Sequence, residues 1–251
     1  MFFAVSFHDE IVICFQNGHL RGMKSHIVHS SEPITLFGGG DADQNTIARA
    51  LEIAPTVVAA DGGANLAISN KIQPKAVIGD FDSISAETLA KLPDDVLFKI
   101  DEQDSTDFDK ALRSIFAPVI LAVGFTGARL DHQLAALNTL ACHPDKRCLI
   151  LGPMDLVFLA PPKLQLDLPV GTIASLFPMG PVTGCSAGLK WPIDGIALSP
   201  ADRIGTSNEV SGPMQLEFDA PNMLIILPIA ALDQVMAALS VSDAHWPARG
   251  R

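Results

Sequence analysis

The run AVIGDFDSIS (residues 76–85) starts as a buried β-strand and ends in two carboxylates, Asp80 and Asp82, one residue apart. Side chains on an extended chain repeat every second residue, so both point to one side. Like charges placed together repel unless something positive lies between them. The choice is between a metal ion and a solvated turn. Strand propensity gives no reason for a carboxylate pair at a strand end, which favours the metal. In KIDEQDSTDFDKAL (99–112), Asp104 and Asp107 could join the pair around a hard cation. Mg²⁺ takes oxygen ligands and keeps waters beside one or two carboxylates and phosphates. Asp109 is read structurally: Thr106 suits a helix N-cap, and Asp107 and Asp109 in the first turn favour the helix dipole without any ligand.

Two glycine clusters, Gly38-Gly39-Gly40 and Gly62-Gly63, follow apolar runs where a strand turns toward a helix. Backbone amides at such turns can hold phosphate oxygens, with Gly39 and Gly40 the best placed. Tight turns need glycine anyway. Neither G-x-x-x-x-G-K-[ST] nor G-x-G-x-x-G occurs. GFTGARLDH (124–132) puts Arg129, Asp131 and His132 at a helix start. A planar guanidinium suits phosphate, although a surface arginine beside a helical carboxylate is an equal reading. His132 is more naturally a capping or packing histidine. GCSAG (184–188) matches the serine elbow of α/β-hydrolases, with His245 further on, but no helix can follow because Pro192 comes too soon.

These residues need a scaffold that gathers them. From 34 to 151, β-like runs at 34–37, 56–60, 75–79, 95–100, 118–123 and 147–151 alternate with helical spacing. Phe108, Ala111, Leu112, Ile115 and Phe116 mark a helix over 106–116, and Leu130, Leu134, Leu137 and Ala141 one over 130–141. Such alternation predicts an α/β domain with a parallel sheet, whose ligands lie beyond the strand carboxyl ends. Five consecutive strand ends carry the glycines, carboxylates and arginine named above. After 152, Pro and Gly punctuate short runs such as LQLDL, TIASLF, MQLEF and MLIIL, which predicts a smaller all-β sandwich or barrel. The expected divisions are an N-terminal extension (1–33), the α/β domain (34–152) and the β domain (160–251).

The chain of 251 residues is 48% hydrophobic and 18% charged, which indicates a folded protein with a sizeable core. A net charge of -11 argues against nucleic acid or an anionic membrane as partner. A small phosphorylated ligand stays open, because metal ions can supply positive charge. Cys14, Cys142, Cys148 and Cys185 form no Cys-x-x-Cys pair, so reduced thiols in a cytoplasmic protein are expected. No membrane-length apolar run occurs, and MFFAVSFHDEIVICF lacks a basic start and is broken by His8, Asp9 and Glu10, so it is a poor signal peptide. Met23 is an alternative start, and residues 1–22 are expected to be dispensable.

DGGANLA, GDFDSIS, DSTDFDKAL, GARLDH, GLKWPI and TSNEVSG occur in order between about residues 34 and 230. As a set they resemble the thiamine diphosphokinase (thiamine pyrophosphokinase) family. One departure is Ala128, where the family usually has glycine before the arginine. The resemblance implies a homodimer that moves a diphosphoryl group from ATP to the thiamine hydroxyl. It implies Mg²⁺ held at Asp80, Asp82 and Asp107, and ATP bound near Thr106, Arg129 and Asp131. It places Asp61 and Gln103 near thiamine, with Trp191 stacking on the pyrimidine from the partner subunit. Ser207 and Asn208 would support that pocket. Read from residues alone, Trp191 could be a core aromatic, but LKWPI is an odd place for one. A flat ring facing a cationic heterocycle is physically reasonable. Alternatives are a diphosphokinase for a pterin alcohol, an Asp-x-Asp glycosyltransferase, and a nucleotide-binding module without catalysis.

Overall fold

The computed structural model describes residues 12–13, 26–127 and 129–249. The proposed start at Met23 and the departure at Ala128 lie outside them. In chain order the strands of the first part are β1 (Val12–Ile13), β2 (Val28–His29), β3 (Ile34–Phe37), β4 (Thr56–Ala60), β5 (Ala76–Gly79), β6 (Leu97–Lys99), β7 (Ile115–Phe116), β8 (Ile120–Val123) and β9 (Cys148–Leu151). The helices among them are α1 (Gln44–Ile53), α2 (Gly63–Ser69), α3 (Ala86–Leu89), α4 (Asp107–Arg113) and α5 (Leu130–Cys142). Then come β10 (Asp155–Leu159), β11 (Lys163–Leu166), β12 (Ile173–Pro178), β13 (Gly184–Leu189), β14 (Gly205–Phe218), β15 (Met223–Pro228) and α6 (Leu232–Val241).

The six strands β6-β5-β4-β3-β8-β9 pair in parallel in that spatial order. The chain winds outward from β3 through β4, β5 and β6, then returns to lay β8 on the other side of β3. Adjacent connections therefore leave β3 and β8 in opposite directions, and a crevice opens beyond their carboxyl ends. β3, β5, β8 and β9 are buried at every position, as strands covered by helices on both faces must be. The α/β class expected above is what the fold shows, with a second, smaller β unit following.

That β unit is joined to the first by main-chain hydrogen bonds. β10 pairs antiparallel with both β9 and β15, and β12 pairs with β15, so the sheet runs on past residue 151. The 14-residue β14 serves two layers. Its first half pairs with β12, and its second half pairs with β11 and β13. Leu164, Leu176, Val210, Leu216 and Ile225 from these strands share one buried cluster.

Two helical expectations change in detail. The helix after Thr106 ends at Arg113, not 116, because Ile115 and Phe116 form β7 beside β2. Its last two apolar positions thus serve a strand. In α5, Leu130 and Leu134 are 69% and 58% exposed, while Ala136, Thr139 and Leu140 are buried. The buried face combines Leu140 with the smaller Ala136, Thr139 and Ala141, and the leucines near the start of α5 are left outside.

Candidate functional site

The crevice predicted by the strand order is filled by a cavity of about 690 Å³. Its lining includes Gly39 and Gly40 after β3, Asp61 and Gly62 after β4, Thr106 and Asp107 at the start of α4, Gly124 to Gly127 after β8, and Arg129 and His132 at the start of α5. Gly63 lets this end of the sheet close up: a β-carbon there would lie 2.0 Å from the Phe37 carbonyl oxygen, far inside contact distance. The Gly40 N–H donates to the Gly124 carbonyl at 2.8 Å, tying the two glycine turns together. Phe108 and Phe125 form an apolar wall, with ring centroids 4.1 Å apart.

The Asp80–Asp82 pair is not carried by a strand. β5 ends at Gly79, and Phe81 takes the left-handed conformation at φ 72°. The turn, not the two-residue strand period, brings the carboxylates together. Asp61 also has positive φ, 41°, and is turned into the same place from the end of β4. Ligand oxygens of Asp61, Asp80 and Asp82 all lie within 4.8 Å of one another. Asp61 is only 2% exposed; its Oδ2 accepts from the Ser83 N–H at 3.1 Å, while its Oδ1 is buried without a hydrogen-bond partner among the described residues. Such an orphaned acceptor is costly in a protein interior. Burial, followed by the charge of Asp107, raises the Asp61 pKa above the ordinary carboxylate value. Asp61 belongs both to this cluster and to the cavity lining, so the two adjoin through it.

Lys110 lies on the other side of Asp80. Its ammonium, 2% exposed, donates to Asp80 Oδ2 at 2.9 Å and to Asp107 Oδ1 at 3.0 Å. The hydrogen bond from Lys110 is the main reason the Asp80 pKa is lowered. Burial pushes the Lys110 pKa down, but its bonds to Asp80 and Asp107 outweigh that and raise it. Thr106 caps α4 by accepting from the Asp109 N–H at 3.2 Å. Arg129 forks onto Asp131, with Nε to Oδ1 at 3.1 Å and Nη2 to Oδ2 at 2.6 Å, both side chains being largely exposed. The pair keeps the guanidinium at the cavity rim.

The remaining expected residues sit elsewhere. Gln103 and Asp104 are exposed in the loop before α4 and outside the cavity lining. Trp191 follows β13, 54% exposed, with the Lys190 ammonium 4.9 Å from its ring centroid and Lys190 in turn bonded to Glu209 at 2.9 Å. Buried Asn208 brackets the tryptophan backbone: it accepts from the Trp191 N–H at 3.1 Å and donates to the Trp191 carbonyl at 2.7 Å. Ser207, at φ 60°, donates its N–H to Ser175 Oγ. Trp191 and Ser207 do not line the cavity. Ser186 of GCSAG is within strand β13 with its hydroxyl accepting from the Ile193 N–H, so it is no serine elbow.

Sequence reasoning left Lys110 without a role. Its position three residues after Asp107 on a helix, which puts both on one face, was the available signal. It also set Asp61 apart from the carboxylate pair, because only the fold brings the ends of β4 and β5 together.

The chain is similar to known proteins over both of its units. Residues 47–151 match the family model described as thiamin pyrophosphokinase, catalytic domain. Residues 163–223 match thiamin pyrophosphokinase, vitamin B1 binding domain. Thiamine pyrophosphokinase 1 of Arabidopsis thaliana is 30% identical over 185 residues, which are 60% of this chain and 69% of that protein. A solved protein from Lactobacillus plantarum superposes with a TM-score of 0.65 at 28% identity, covering 79% of this chain and 99% of that one. Thiamin pyrophosphokinase from Candida albicans gives 0.66 at 15% identity, covering 89% and 100%; at that identity the likeness concerns the fold.

Proposed function

The chain belongs to the thiamine pyrophosphokinase family, and we propose, from that premise, how its own residues carry out the family's reaction. The chain transfers the diphosphoryl group of ATP to the hydroxyl of thiamine, giving thiamine diphosphate and AMP. The observation that carries this reading is the Asp61–Asp80–Asp82 cluster, which adjoins the cavity beyond the strand ends through Asp61. A nucleoside triphosphate in that crevice would meet the backbone amide of Gly39, in a turn held by the Gly40 N–H to Gly124 bond, and the Arg129 guanidinium at the rim.

The donor set fits Mg²⁺. Three converging carboxylates, one with a buried oxygen lacking any partner, are hard oxygen ligands. Asp80, Asp82 and Asp61 would hold the ion, while Asp107, expected from the resemblance to be a ligand, is outside this converging set and is bonded through Oδ1 to Lys110. When bound, the ion polarises phosphoryl oxygens and neutralises their charge. The protein's own part is positioning and electrostatics, as expected for phosphoryl transfer. The glycine turns let backbone approach the phosphates. Arg129 would turn from Asp131 toward developing phosphate charge. Phe108 and Phe125 exclude water from one wall of the crevice.

We assign thiamine recognition to Trp191, held by Asn208, with Asp61, Gln103 and Ser207 contributing. Because Trp191 and Gln103 do not line the cavity, this assignment supports a homodimer in which one copy's tryptophan completes the other's site. Free thiols at Cys142, Cys148 and Cys185 support a cytoplasmic location. Among the described residues, no helix is long and apolar enough to cross a membrane.

Phosphorus NMR of the purified chain with Mg²⁺, ATP and thiamine tests the reaction. AMP and thiamine diphosphate are expected in equal amounts. AMP alone would mean a different acceptor, and intact ATP would sink the activity. Trp191→Ala is expected to raise the KM for thiamine about tenfold or more, the range of a desolvated cation–π contact. ATP binding and the melting temperature should not move, because the ring is more than half exposed and outside the cavity. An unchanged thiamine KM would remove the assignment.

A further inference from the structure

The ammonium of Lys110 is nearly inaccessible, yet it bridges two carboxylates from different elements, Asp80 in the turn after β5 and Asp107 in the first turn of α4. A buried, unpaired ammonium is very unfavourable, so this residue type persists there only because both carboxylates are present. The reverse also holds: without a cation, Asp80 and Asp107 would repel across the same gap. In sites that use two metal ions, bridging carboxylates hold the ions about 3.5–4 Å apart. Asp80 has that bridging form. Its Oδ2 takes Lys110, its Oδ1 receives only a 3.3 Å bond from the Asp82 N–H, and its carboxylate also belongs to the cluster with Asp61 and Asp82.

We propose that Lys110 is a resident cation occupying the position of a second metal ion between Asp80 and Asp107, so that the carboxylate cluster takes one exchangeable divalent ion. This rests on reading Asp61, Asp80 and Asp82 as the ion's ligands. Lys110 is thus a positioning residue acting through Asp80. A covalently attached cation cannot dissociate, so it holds Asp80 and the N-terminus of α4 in place before the exchangeable ion arrives. It also leaves the cluster with a smaller excess of negative charge, which favours release of the ion with its phosphates.

The test counts Mn²⁺ ions bound to the full chain without nucleotide, from the electron paramagnetic resonance signal of free Mn²⁺. The native chain is expected to bind one ion that Asp82→Asn abolishes. Lys110→Ala, which removes the ammonium and opens space, is expected to bind two, provided circular dichroism shows it folded. Two Asp82-dependent ions in the native chain would overturn the inference, and so would a folded Lys110→Ala that still binds one. If the variant does not fold, the native count alone decides. The count is independent of turnover: thiamine diphosphate formation with two bound ions removes the role of Lys110 and leaves the reaction standing. One bound ion without thiamine diphosphate does the opposite.

Discussion

Asp82→Asn is expected to lower turnover about a thousandfold or more, while the melting temperature stays within the scatter of a surface substitution. Asp82 is exposed and its side chain accepts a bond from Ser83 Oγ at 2.8 Å, which an asparagine oxygen also accepts. Stability should therefore change by no more than about 0.5 kcal/mol. The activity loss has a different origin. Neutralising one of three carboxylates removes charge where a hard cation is held, and metal stabilisation of phosphoryl charge is worth several kcal/mol. A thousandfold corresponds to about 4 kcal/mol of barrier. Steady-state kinetics beside thermal unfolding checks both halves, and full activity in a folded variant would remove Asp82 from the metal site.

Asp61→Asn is expected to abolish turnover and make the protein more stable. The native carboxylate is buried, has an oxygen without a partner, and feels the charge of Asp107. Its folded pKa is raised, so the folded state binds this proton more readily than the unfolded chain. Its cost is therefore absent below the unfolded pKa near 3.8 and fully present once pH exceeds the raised folded value. Asparagine removes the charge, and its amide can donate toward Asp107. Oxygens of the two residues flank the same point at Gly79, 3.1 and 3.2 Å from where its β-carbon would be. The gain at neutral pH should be on the order of 1 kcal/mol, or about 2–4 °C in melting temperature. The difference between the two chains should vanish on acidification through the same window. A variant that melts lower at neutral pH would show that the buried carboxylate is satisfied rather than strained.

Both predictions concern a site partly readable from residue types. The glycine turns after β3 and β4, the carboxylates after β5, Thr106 as the cap of α4 and Arg129 at the head of α5 are local features, each set by residues within a few positions. Local propensity and hydrophobic period report such features directly. Where the reading went astray, the cause was non-local. Ile115 and Phe116 had helical spacing, but β2 offered a strand partner and took them. Leu130 and Leu134 looked like a buried face, and the position of α5 over the sheet left them outside.

By itself, the sequence determined the α/β character of residues 34–151, the change of texture after 152, and the residue types at each strand end. These follow from periodicity and turn chemistry, which act over a few residues. Only the tertiary structure decided that Asp61 joins Asp80 and Asp82, because their oxygens meet through strand order and two positive-φ turns. It also decided that Lys110 lies between Asp80 and Asp107, 30 and 3 residues away along the chain. A one-dimensional pattern reports which face a residue occupies. Which charges share that face depends on how elements far apart in sequence pack, and burial then makes their pairing consequential.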